Sequence, residues 1–164
     1  HISRGSMVYY FKNKEGLFLE MLKTMIFNKS SVRSVPKAYR QSLLSFYNYF
    51  IEMIERDRQS LNDMGIININ KAMCNIEMSA LSNIPSFKDE ALEWYDIENN
   101  IWCEVIRHAI EIKEISTSAN ASVLAHLFEK IYLGNSFIGV FSLSGIDLRE
   151  MKKDFDYLYE LIKL

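Results

Sequence analysis

The sequence predicts an all-α protein, on three observations. Its 164 residues include only six Gly and two Pro, too few turn formers for a strand-dense fold. Apolar residues recur at three- and four-residue spacings through most of the chain. The one alternating stretch, Ile66 to Asn70, has no second strand to pair with, so a helix is expected there too. With 49% hydrophobic and 24% charged residues the composition is globular, and the length suffices for one well-buried domain.

Taken in order, Ser3 is a good N-cap for a short helix ending near Tyr10 or Phe11, and Asn13 caps a second with Lys14 and Glu15 in its first turn. That second helix is expected to run to about Asn28, with Leu17, Met21 and Ile26 inward. Lys29 to Pro36 reads as a basic, Ser-rich linker. Pro36 suits the first turn of a helix reaching roughly Asn62, on which Leu43, Phe46, Phe50, Met53 and Ile54 share a face. A helix within Met64–Leu81 follows. Pro85 then breaks the chain before a long helix from about Ser86 to Ile115, which buries Leu92, Tyr95, Ile101, Trp102, Val105, Ile106 and Ile112. Ser116 to Ala121 is a polar loop. Ser122 to Ser144 is apolar around most of its circumference, so it must be covered on more than one side. Gly145 is expected to end it, and Asp147 to cap a last helix in which Leu148, Met151, Phe155, Leu158 and Ile162 form a regular seam.

Charge and cysteine usage narrow the function. Residues 1–40 hold eight basic side chains against two acidic, a net of +6, while the remainder holds eleven against nineteen, a net of −8. A basic head on an acidic body suits a chain whose N-terminal end faces a polyanion; an imbalance on solvated helices is the plainer alternative. Cys74 and Cys103 are isolated in apolar helical surroundings, as buried thiols of a reducing cytoplasm would be. No apolar run reaches membrane-spanning length and no secretory leader is visible, so a cytoplasmic location is expected. The three histidines are scattered, and neither a zinc-protease helix, a phosphate loop nor a nucleophile elbow occurs. No catalytic residue, metal ligand or cofactor is therefore expected.

The stretch from Ser3 to Phe18, SRGSMVYYFKNKEGLF, is the most specific in the chain. Arg4, Ser6, Tyr9 and Tyr10 supply hydrogen-bond donors for phosphates or base edges, and Gly5 permits close backbone approach. Met7 and Phe11, four apart, face inward whether or not the helix reads DNA. The run resembles the end of the helix-turn-helix in tetracycline-repressor (TetR) family regulators, where the pattern is roughly G-V-S-x-G-T-hydrophobic-Y-x-x-F-x-x-K-E-x-L. His1 stands where the turn glycine usually is, and Val8 replaces a tyrosine that commonly touches a phosphate.

The resemblance implies a TetR-like helical bundle. Residues 1–28 would be the remainder of the DNA-binding head with its linking helix, and 36–164 the ligand-binding and dimerisation domain. It assigns Ser3, Arg4, Gly5, Ser6, Tyr9, Tyr10 and Lys14 to a double-stranded DNA operator. The run starts at the turn, so the family's first helix and positioning helix, roughly thirty residues, are not in it, and operator binding is expected only with them. The family's middle helices hold a small-molecule effector; here their Met and aromatic content favours a largely apolar one. Pocket candidates are Phe50, Met53, Asn70, Met73, Trp102, His108, Phe128 and Asn135, with Asn100 and His126 as further polar anchors. Taken singly, each polar residue is better read as a satisfied or solvated side chain than as a ligand contact. The last two helices imply a homodimer through a four-helix bundle, with Leu124, Phe128, Ile131, Phe137, Ile138, Phe141, Met151, Phe155, Leu158 and Ile162 at the interface. A closed monomeric core is the alternative. The function implied is that of a DNA-binding transcriptional regulator, a repressor released from its operator by a small, largely apolar ligand. The alternative function is a truncated helical dimer that binds a ligand or protein partner without DNA.

Overall fold

A computed structural model describes residues 14–22, 24, 31–116, 118 and 120–164. Among the described residues six helices follow one another: α1 (Lys14–Leu22), α2 (Leu43–Asp63), α3 (Ile69–Asn83), α4 (Phe87–Glu111), α5 (Ala121–Gly139) and α6 (Leu148–Ile162). Two 3-10 turns, Val32–Ser34 and Lys37–Gln41, precede α2. The described residues contain no strand; a single antiparallel bridge between Ile115 and Lys163 ties the loop after α4 to the C-terminal end. No described helix is long and apolar enough to cross a membrane.

Local chemistry moves several boundaries from where periodicity puts them. The second long helix starts at Leu43, not Pro36. Ser42 adopts extended backbone and its side chain accepts from the Ser45 N–H, while Pro36 opens only the preceding 3-10 turn. A carboxylate reinforces that start: Glu114 accepts from the N–H groups of Leu43 (2.9 Å) and Leu44 (3.0 Å) and from the Ser42 hydroxyl (3.0 Å). An anion on a helix N-terminus satisfies orphan donors and meets the positive end of the dipole. Gly65, at φ +85°, closes α2, and Asn68 then caps α3 by accepting from Lys71 N–H. The stretch Met64–Asn68 is thus a turn, and α3 begins at Ile69. The expected extension of α1 to Asn28 falls largely outside the described residues.

α5 ends at Gly139 instead of running to Ser144. The chain doubles back so tightly that a Cβ at Gly139 would stand 2.5 Å from the Ile146 nitrogen. Gly145, at φ +87°, is in the return loop, a conformation glycine adopts without steric cost. Asn68 donates to the carbonyls of Gly139 (3.0 Å) and Ser142 (2.8 Å), and Asn70 accepts from Ile146 N–H (2.9 Å), so the start of α3 pins this loop. Asp147 caps α6 by accepting from the Arg149 and Glu150 N–H groups.

The main core lies between α2, α4, α5 and α6, and it is aromatic. Trp102 stacks on Phe128 at 5.2 Å, meets Phe46 edge-on at 4.8 Å, and contacts Phe155, which packs in turn on Phe128. Tyr47 joins the cluster and donates to Asp156 (2.9 Å). A second, smaller core of Ala80, Ile84 and Phe87 sits where α3 turns into α4, and Phe18 and Leu19 of α1 pack on it with Trp94.

This packing divides the seam expected between two copies. Leu124, Phe128, Met151 and Phe155 are buried in the chain's own core. Ile131, Leu158 and Ile162 are partly buried against that core. Phe137, Ile138 and Phe141 are exposed, at 61%, 69% and 79%, and Val123, Leu127, Tyr157 and Leu161 are exposed on the same two helices.

Candidate functional site

A cavity of about 380 Å³ opens among α2, α3, α4 and α5, with Ile146 of the loop before α6 also in its lining. Its walls are largely apolar: Ile54 and Leu61 from α2, Ile69, Met73, Cys74 and Met78 from α3, and Leu133, Phe137 and Val140 from α5 and the turn after it. Three rings, Trp94, Tyr95 and Tyr132, face the same space, and the polar lining comprises Asp57, Arg58, Asn70, Glu77 and Ser136. Asn70, Met73 and Glu77 occupy one face of α3 because they lie three and seven residues apart.

The polar groups differ in how far they are satisfied. Arg58 pairs with Glu55 (2.5 Å) and reaches the Ile146 carbonyl (3.4 Å). Asn70 spends its oxygen on the Ile146 N–H. Glu77 has no hydrogen-bond or ion-pair partner among the described residues, and burial alone pushes its carboxyl above the usual range. Burial, followed by the nearby Glu77 charge, raises the Tyr95 phenol to about 12; burial and the charge of Glu98 raise Tyr132 further. Both phenols therefore stay protonated.

One turn along α4 from Tyr95, Glu98 is buried at 4% exposure. It accepts from the Ser31 hydroxyl and from Val32 N–H (3.1 Å), holding the first 3-10 turn to the body. Burial drives its carboxyl up to about 7, against the opposing pull of those hydrogen bonds and of Arg33. Arg40 completes the clamp by donating to the carbonyls of Val35 (2.9 Å) and Arg33 (2.8 Å).

Of the residues the sequence nominates for a ligand pocket, Asn70 and Met73 line the cavity. Phe50, Met53, Trp102 and Phe128 belong to the neighbouring aromatic core; Phe50 touches Tyr132, whose ring separates core from cavity (centroids 5.0 Å). His108 is partly exposed beside Glu111 (3.7 Å), and Asn135 donates to the Ile131 carbonyl and to Asp154. His126 meets Asn99 (2.8 Å), and Asn100 is exposed. Cys103 is buried, while Cys74 is half-buried in the cavity wall. Ser3, Arg4, Gly5, Ser6, Tyr9 and Tyr10, and the side chain of Lys14, lie outside the described residues.

Glu77, Trp94, Tyr95 and Tyr132 are among the lining residues that the sequence did not nominate for the pocket. A signal for Glu77 is present in the sequence: it is the one acid in α3, three residues from Cys74 and four from Met73. Among the described residues, no group of three or more His, Cys, Asp or Glu is arranged to hold a metal ion. No protein-family model, curated protein or solved structure matches the chain.

Proposed function

We propose that this chain is the effector-binding, dimer-forming part of a TetR-type DNA-binding regulator, with its reading helix in the Ser3–Tyr10 run. The observation that carries this reading is the seat of α1. Phe18 and Leu19 pack on the small core made by the ends of α3 and α4, and those two helices also supply Met73, Glu77, Trp94 and Tyr95 to the cavity. A ligand that changes the spacing of α3 and α4 therefore acts on the helix that follows the recognition run.

A ligand shifts the reading heads only by its differential affinity for two arrangements of these helices. The excess of basic residues before Gln41 supplies phosphate affinity. A second copy of the chain completes the assembly through the exposed apolar stripe of α5, the turn after it and α6, with Phe137, Ile138 and Phe141 prominent. A twofold dimer then reads a palindromic operator whose half-sites lie about one helical turn apart.

The test is a selection of genomic DNA fragments on the gene's full-length product. Enrichment of an inverted-repeat site, lost on adding a ligand that fills the cavity, is expected. No enrichment of any DNA, with a ligand-binding dimer intact, would replace this reading with that of a helical dimer acting without DNA.

A further inference from the structure

The lining of the cavity is electrically lopsided. Arg58, the single basic side chain among its described lining residues, is already committed to Glu55 and the Ile146 carbonyl. Glu77 is the reverse case: a carboxylate in a mostly apolar wall, with neither cation nor hydrogen-bond donor to balance it among the described residues. Such a group is costly where it is, and a charge brought by a ligand balances it best. Around it stand Trp94, Tyr95 and Tyr132, whose ring faces attract cations and whose area suits a flat apolar body. An anion would meet Glu77 with no uncommitted basic side chain among the described lining residues. A neutral ligand would fill the space but leave Glu77 unbalanced.

We infer that the cavity takes a flat, aromatic organic monocation, its charge set against Glu77 and its body between Met73 and the three rings. The inference rests on reading the cavity as an effector site, and adds the chemical class of the effector. Glu77 supplies charge selectivity, and the hydrophobic walls supply affinity common to any ligand of that shape. Burial pushes the Glu77 carboxyl upward, and the charge of a bound cation opposes that push, so occupancy should favour its ionised form.

Three probes on one ring system separate these contributions: N-methylacridinium, a permanent cation; acridine, neutral in mild base; and an acridine carboxylate, an anion. Each is titrated against the chain at about pH 8, where free carboxyls are ionised, by calorimetry and by quenching of tryptophan emission. The cation is expected to bind roughly tenfold or more tighter than acridine, and the anion weakest. Glu77→Gln should remove the preference by weakening the cation alone, with acridine binding unchanged as proof that the variant folds. Met73→Trp, which fills the cavity, should weaken all three.

Equal affinity for cation and acridine, or a preference that survives Glu77→Gln, would overturn the charge assignment while leaving an apolar effector site standing. Cation binding that survives Met73→Trp would put the site elsewhere and overturn the inference. Failure of all three probes to bind would overturn both the inference and the effector-site reading.

Discussion

Glu98 offers the sharpest thermodynamic prediction. Its carboxyl is buried against Ser31 and Val32, and its pKa rises from 4.5 to about 7 on folding. The folded chain thus binds the proton more tightly than the unfolded chain. The ionised carboxylate penalises the folded state fully above about pH 7, and the penalty fades as pH falls towards 4.5. From this group alone, stability rises on acidification, by roughly 2 to 3 kcal/mol between about pH 8 and about pH 5. Glu98→Gln keeps the shape and an oxygen for the Val32 N–H but cannot ionise. Urea unfolding of both proteins across that range isolates the effect, because every other titrating group cancels in the difference. The variant should be the more stable by roughly 2 to 3 kcal/mol at the alkaline end, with the gap closing to about 1 kcal/mol or less near pH 5. Parallel stability curves would refute the reasoning, and so would a variant that is less stable at alkaline pH.

Three further outcomes follow from the packing. Phe128→Ala empties the space beside Trp102 and Phe155 and should cost about 3 to 5 kcal/mol by denaturant unfolding, whatever the oligomeric state. Gly139→Ala drives a Cβ into the backbone of Ile146 and should destabilise by about 1 to 3 kcal/mol, with a lowered melting temperature. Ile138→Glu alters an exposed side chain, so the fold should persist by circular dichroism. In the proposed dimer it should raise the dissociation constant at least tenfold in sedimentation equilibrium. A monomeric parent, or an unaffected dimer, would remove the α5–α6 stripe from the account.

The fold class and the order of the helices were legible because they depend on periodicity and local caps. Asp147 signals its helix start directly, through a side chain that bonds two N–H groups just ahead of it. Boundaries set by distant residues were not legible. The start of α2 at Leu43 is reinforced by Glu114, seventy-one residues away, and the end of α5 at Gly139 is fixed by contact with Ile146. The same limit applies to the cavity. Periodicity identifies which residues face inward, but not whether they meet other side chains or empty space. Phe50, Trp102 and Phe128 find one another and make core, whereas Asn70 and Met73, on a neighbouring helix, face a void. In the same way the regular seam of α6 is spent inside the chain at Met151 and Phe155, leaving Tyr157 and Leu161 outward.

The most direct test of the central claim is whether the gene's full-length product selects DNA in a ligand-dependent way. Genomic fragments enriched on the protein should share an inverted repeat with half-sites about one helical turn apart, and N-methylacridinium should release them. Release should fail in the Met73→Trp protein if the cavity is what the ligand fills. Absence of any enriched sequence, at salt low enough to retain phosphate contacts, would contradict the account.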